Sequence, residues 1–558
     1  MKKKLVSVLL AACLVTGLLA GCGSSGSDAG TQDTATEEAG TEASEEPAAE
    51  EQSEVAAAME EATVEEAPAD AGEAKYGGVL KYASHNTVST PGYTPECTNN
   101  ASLIFLTTAY ESLVTYADDG SLAPLLATEW EVDAEEPSIT WTLREGVQFA
   151  DGTPFNAEAV KRNIEEYQKS ERNETANVAS CEVIDDTHIK MVLNSWNSST
   201  VESVGFFVYY MSPEALNDVD SLRNSSCGTG PFQVSSFDPG VSVKYTKNEN
   251  YWQEGKPYLD GVEIYVVDEP TTRSSAFQAG EYDMILMNNL TVASELLSTG
   301  KFVVGKNITG QGLVMTGLIP NSAEDGPFAD PKVRQAMCYA LDVDALCEAF
   351  GYGLLTTLAQ WGSPDAVTYD TSLECFSYNP DKARELLAEA GYPDGFDTTL
   401  TTDAGNSDMF TAAANMLSEV GIRCEINLVD ESAQVNLYST GTWTGIMGHF
   451  AAISPDLGLY MGRHLDTNGA FYAKGIQHPD DAMALLEAIR TAPTDEEKIK
   501  LEHEMQALIY GAEDGIALFG RPLFIQNEPV FKYDYVKNDG RSVYHVGTWT
   551  LADCWLDK

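Results

Sequence analysis

Cationic side chains are scarce in this chain: 33 Lys and Arg stand against 86 Asp and Glu in 558 residues, a formal net charge of -53. That balance repels a phosphate backbone, so nucleic acid is excluded as a partner. Histidine is sparse too. The seven, at positions 85, 188, 449, 464, 478, 503 and 545, form no HxxxH pair, and no cysteine sits in a CxxC or other metal spacing. A metal centre built from several side chains is therefore not supported, and no cofactor is expected. No GxSxG elbow, P-loop or EF-hand loop occurs, and His503-Glu504 opens like a zinc-protease helix without its second histidine. Carboxylate neighbours such as Asp118-Asp119 and Glu165-Glu166 point apart on a helix and read as solvated faces. Repeats of fixed period are absent, as is any second apolar run near 18 residues after the N-terminal one.

What is present begins with Met1-Lys2-Lys3-Lys4, an apolar run from Leu5 to Ala20, and Leu19-Ala20-Gly21-Cys22. A charged start followed by an apolar stretch shorter than the ~20 residues of a span reads as an export signal over residues 1–21. Small residues before a cysteine match the bacterial lipobox, so Cys22 is expected to carry a lipid anchor that holds the protein on the outer face of the cell membrane. From Gly23 to about Ala74 there are sixteen Asp or Glu and no Lys or Arg. Such a segment buries too little apolar surface to offset its ordering entropy, so residues 22–75 are expected to be an anchor and a disordered acidic tether. A neutral chain of that length spans about 40 Å and its extended limit is roughly 170 Å.

The body beyond Lys75 has aromatic and β-branched residues in globular proportion, enough for two or three domains outside the membrane. Strand, turn and helix signals alternate. Gly77-Gly78 leads into an alternating strand, and Thr140 to Arg144 reads as another. Asn156 reads as the cap of a helix with Val160, Ile164 and Tyr167 on its buried face. Strands are expected at Val241–Tyr245, Val262–Val266 and Tyr282–Leu286, with a helix from Pro270 to Gly280 between the last two. Pro331 and Pro380 open two further helices, and Gly421 turns a helix into the strand Arg423 to Leu428. Cys338 and Cys347 lie in helical patterns among Ala, Met and Leu and read as small buried hydrophobes. Pairings among the eight cysteines beyond Cys22 stay open.

Several runs together resemble one family, the extracytoplasmic solute-binding proteins of oligopeptide, dipeptide and nickel ABC importers (solute-binding protein family 5). They are Tyr110-Glu111-Ser112-Leu113-Val114, Leu122 to Trp130, Trp141 to Ala157, Gly228-Thr229-Gly230-Pro231-Phe232, Asn248-Glu249-Asn250-Tyr251-Trp252, Val333-Arg334-Gln335-Ala336 and Tyr378 to Ala383. The resemblance spans almost everything from Lys75 onward, and the run from Trp141 to Asn156 is specific by itself. It implies an α/β, two-lobed periplasmic-binding-protein-like fold of type II with an extra inserted domain. Lobe I would comprise 76–121, 226–318 and 524–558, the inserted domain 122–225 and lobe II 319–523, joined by two hinge crossings. It also implies a binder and not an enzyme: a monomer that captures a peptide or peptide-like small polar solute and hands it to ABC permease subunits.

By the same resemblance the ligand lies between the lobes. Asn86 and Thr87 would face it from the loop after the first strand, and Gln360 and Trp361 from a glycine and proline-rich loop, although core packing is an equal reading for Trp361. Gly448, His449, Phe450, Ala451 and Ile453 lie on the segment matching the strand against the ligand. Peptide-binding relatives place an aspartate there for the α-ammonium, because a buried ammonium without a counter-charge costs several kcal/mol. Here Ala451, Ala452 and Ile453 stand in its place. Either another carboxylate such as Asp456 serves a displaced ammonium, or the ligand lacks a free α-amine, as a blocked peptide, glycoside, opine or metal chelate does; the second reading is favoured. A surface signal receptor or an extracellular hydrolase on the same fold are the competing functions.

Overall fold

The computed structural model describes residues 73–558 apart from 98–101, 118, 306–313, 324, 404–406, 453–454, 468, 470–473, 527–528 and 539–550. Cys22, the export signal and most of the tether therefore lie outside the described residues, as does Ile453. No helix of the described residues is long and apolar enough to cross a membrane.

Two mixed sheets organise the molecule. The first has seven strands in the spatial order Val303–Gly305, Val530–Lys532, Met284–Leu286, Val79–Ser84, Gly261–Val266, Ser242–Lys247 and Phe232–Asp238. Val79–Ser84 enters from Gly77 and Gly78, both left-handed, and runs parallel to its two neighbours. The second has six strands in the order Leu355–Thr357, Arg521–Gln526, Val314–Pro320, Ile446–Ala452, Phe396–Thr402 and Ile422–Leu428. An antiparallel sheet of four strands, Ala127–Asp133, Ser138–Leu143, His188–Leu193 and Val178–Val183, shares one hydrophobic core with the first sheet. These make a first body, with the six-stranded sheet and its helices as the second.

The chain passes between the two large sheets twice, after Gly305 and after Gln526. Both passages differ by a few residues from the sequence reading. The expected boundary between residues 318 and 319 falls inside Val314–Pro320, and that between 523 and 524 inside Arg521–Gln526; both strands pair wholly within the six-stranded sheet. The apolar pattern runs unbroken through each strand, so sequence alone offers no mark of where the sheet begins.

Capping chemistry placed most helices correctly. Asn156 accepts from the Ala159 N–H at 3.0 Å and opens Ala157–Lys169, which buries Val160, Ile164 and Tyr167. Asp330 and Asn379 cap Pro331–Tyr339 and Pro380–Glu389 in the same way. Gly421, with φ 104°, turns Ser407–Glu419 into Ile422–Leu428. Cys338 and Cys347 are buried, and all eight cysteines among the described residues are free thiols. Glu166 departs from the expected solvated face: it is buried, accepts from the Tyr93 hydroxyl at 2.9 Å and pairs with Lys169 at 2.8 Å.

The motifs that carried the family resemblance meet at one buried carboxyl. Glu111 accepts from Thr229 Oγ1 at 2.8 Å, from Tyr251 Oη at 3.2 Å and from Trp252 Nε1 at 2.9 Å. Arg144 lies over the Trp252 ring at 4.6 Å. Glu111 thus ties its own run to two others 118 to 141 residues away, and Arg144, which follows the four-stranded sheet, joins them through the Trp252 ring, fixing that sheet to the rest of the first body.

Candidate ligand-binding cleft

A cavity of about 1220 Å³ is lined by both bodies. On the first body, helix Ala157–Lys169 ends at Ser170 and Glu171 takes a left-handed φ of 54°, turning the chain so that Tyr167 and the Arg172 to Glu174 segment reach the cavity. Phe207 and Tyr209 reach it after helix Ser199–Phe206. On the second body, Asp430 caps helix Glu431–Thr440 and Gly441 ends it at φ 66°; Gln434 and Tyr438, four residues apart, share the face turned to the cavity. Asp456 caps helix Leu457–Leu465, which presents Tyr460, Arg463 and His464.

Around His449 the second body's wall is aromatic and neutral. The rings of Tyr438 and His449 stack at 4.1 Å and 21°, and Tyr438 Oη is hydrogen-bonded to His464 Nδ1 at 2.8 Å. Burial lowers His449 to about 3 and holds His464 well below its usual value, the latter helped by His449 and Arg463 nearby. Both imidazoles are uncharged at physiological pH. His449 Nε2 is sealed from solvent with no hydrogen-bond partner among the described residues.

Most charges around the cavity are already paired. Arg172 holds Glu174 at 2.5 Å, Arg223 holds Glu96 at 2.7 Å, and Arg490 reaches Asp466 with one arm at 2.9 Å. Arg463 differs: half-buried, with its guanidinium 6.0 Å from the Phe207 ring of the other body, it forms no ion pair among the described residues. A guanidinium so placed can take a carboxylate with two parallel hydrogen bonds.

The sequence-expected residues are only partly gathered here. His449 lines the cavity; Gly448 lies behind it, its carbonyl accepting from Gln434 Nε2 and its α-carbon so close to Phe410 that a Cβ would come within 2.6 Å of the ring. Phe450 and Ala451 are on the same strand, Ile446–Ala452. Asn86 and Thr87 follow the first strand but do not line the cavity, and the Asn86 N–H donates to Ser84 Oγ at 3.0 Å. Gln360 and Trp361 depart from the pocket reading because both turn inward. Gln360 clamps Asp370, donating to its carbonyl at 2.6 Å and accepting from its N–H at 3.1 Å. Trp361 is 1% exposed and packs on Tyr460 and Phe519, each at 5.3 Å, backing the wall rather than lining it. Tyr438, Arg463 and Phe207 escaped sequence reasoning. An arginine seven residues after the Asp456 cap, in a chain so poor in cations, was the available signal for Arg463.

Known proteins resemble this chain over most of its length. The model of bacterial extracellular solute-binding proteins, family 5 (middle), matches residues 121–472. The glutathione-binding protein GsiB of Salmonella typhi is 30% identical over 433 residues, covering 73% of this chain and 82% of the relative. Among solved structures, the substrate-binding protein CtaP of Listeria monocytogenes superposes with a TM-score of 0.76 at 17% identity, covering 87% of this chain and 100% of that one. The periplasmic binding protein DppA of Helicobacter pylori, in complex with the peptide STSA, does so with a TM-score of 0.66 at 24% identity, covering 87% and 99%. Two bodies around a shared cavity, an inserted sheet and these matches lead to one conclusion: the chain belongs to the bacterial extracellular solute-binding proteins of family 5, binders and not enzymes.

Proposed function

We propose that this protein is the lipid-anchored receptor of an ABC importer, held to the membrane through Cys22, that captures a peptide-like small polar solute bearing a carboxylate and delivers it to the permease. Arg463 carries this reading, as a cleft cation with no carboxylate of its own among the described residues. The volume of about 1220 Å³ exceeds the 300–1,000 Å³ typical of drug-sized ligands and suits a short peptide. A relative that binds glutathione, itself a small peptide with free carboxylates, supports the same class.

The neutral Tyr438–His449 wall favours a ligand whose amine is blocked or displaced. Asp456 is unsuited to serve that amine: its carboxylate is engaged by Lys498, by the Leu459 N–H at 2.7 Å and by Ser199 Oγ at 3.2 Å. Calorimetry with glutathione and with tri- and tetrapeptides in free, N-acetylated and C-amidated forms tests the reading. Amidation, or Arg463→Ala, is expected to weaken binding by about 10- to 150-fold, the worth of a charge-assisted hydrogen bond pair of about 1.5–3 kcal/mol. N-acetylation should change affinity little. Binding that demands a free N-terminus and ignores the C-terminus would overturn the assignment.

A further inference from the structure

Beside the cleft, three carboxyl groups and one ammonium are buried where the two bodies touch. From the first body, Glu202 on helix Ser199–Phe206 is 3% exposed and accepts from the Tyr116 hydroxyl. From the second come Asp456 at the cap of Leu457–Leu465, and Lys498 and Glu502 on helix Asp495–Tyr510. Lys498 pairs with Asp456, and Glu502 accepts from the Gly458 N–H at 3.0 Å. The carboxyls of Glu202 and Asp456 act on each other across the interface, and Ser199 Oγ, on the same helix as Glu202, donates to Asp456 at 3.2 Å.

We propose that the two bodies share a proton-binding site, formed by Glu202, Asp456 and Glu502, whose protonation is a condition of their closing on one another. Carboxyls buried side by side repel one another unless one of them keeps its proton. Glu502 Oε2 is sealed from solvent with no hydrogen-bond partner among the described residues, a placement that suits a neutral acid and not a carboxylate. One lysine compensates one of the three acids, so two must be neutral when the bodies meet. The other facing groups do not alter the count. Tyr116 and Tyr209 are neutral, Arg490 is spent on Asp466, and Arg463 faces Phe207.

Burial accordingly pushes Glu202 and Glu502 up to about 8, helped by the Asp456 charge and opposed by Lys498, while Lys498 holds Asp456 down. Separation returns water to Glu202, and its carboxyl falls back toward the usual 4.5. The closed arrangement therefore binds more protons than the open one. Closure is fully favoured below about pH 4.5 and is progressively lost as pH rises toward about 8.

This inference rests on the reading of the two bodies as a clamp, and the test separates the two. Small-angle X-ray scattering of the full chain without added solute is expected to show a compact particle at about pH 6 that opens by about pH 10. The double variant Glu202→Gln with Glu502→Gln, permanently neutral at both sites, should lose this transition and stay compact. Since the double variant risks misfolding, ¹³C-carboxyl NMR of glutamate-labelled wild type provides an independent readout, with two carboxyls titrating near 8. A wild type whose size ignores pH, or a double variant that opens at the same pH as wild type, overturns the proton site. If solute still compacts such a protein, the clamp stands and only the proton site falls.

Discussion

Replacing Glu111 with alanine is expected to lower the unfolding free energy by about 3–5 kcal/mol, read from the urea midpoint at constant slope. The variant removes the acceptor of three donors at once, the buried Thr229 hydroxyl and the half-buried Tyr251 and Trp252, where a stranded donor costs about 1–3 kcal/mol. Glu111→Gln keeps the volume and one acceptor oxygen, so its cost should be smaller. The pH dependence separates the two variants further. Burial pushes the Glu111 carboxyl from the usual 4.5 up to about 7, opposed by its three donors and by Arg144. Because the folded value is raised, ionisation weighs against folding progressively between about pH 4.5 and 7, a loss that the glutamine variant does not share. A Glu111→Ala protein as stable as wild type would show that the four family motifs are held by something other than this carboxyl.

Lys498→Met is expected to cost a similar amount, about 3–5 kcal/mol at neutral pH, because it removes the cation that compensates a buried carboxylate. Methionine fills the space of the lysine stem, so the loss is electrostatic and not a cavity effect. The sign with pH is fixed by the same argument. Without Lys498, Asp456 must take up a proton to stay buried, so the defect shrinks as pH falls below the usual carboxylate range and is largest above it. Urea titrations of wild type and variant at about pH 4 and about pH 8 measure this difference. A defect of equal size at both values would mean that the lysine acts through packing alone.

Much of the fold was legible because its signals are local. A cap, its glycine stop and the apolar spacing between them sit within one helix, as at Asn156 and Val160, or at Asn379 and Gly391. The family motifs were legible for a different reason: Glu111, Thr229, Trp252 and Arg144 are bound into one hydrogen-bonded and stacked node, so each constrains the residue types at the others.

The cleft was far less legible. A tryptophan at 361 announces a large apolar surface but not the direction it faces, and only the packing of Tyr460 and Phe519 turns it inward. Gln360 reads as a polar lining residue until its partner ten residues on is seen to occupy both of its amide atoms. Arg463 and Phe207 lie 256 positions apart and meet only because the two bodies do. His449 lines the cavity from Ile446–Ala452, and its place on that strand is a local property that sequence can carry. The proton site has the same non-local origin as Arg463, since Glu202 reads as an ordinary helical acid until Asp456 of the other body is brought against it.

The central claim is a cavity between two bodies that holds a small solute and releases it unchanged. Native mass spectrometry of the purified chain with glutathione and the peptide panel tests it most directly, with wild type and Arg463→Ala compared side by side. The account predicts a one-to-one complex with a carboxylate-bearing member, recovered chemically intact on unfolding and weakened in the variant. A ligand recovered in cleaved form, or a wild type that retains no member of the panel, would contradict it.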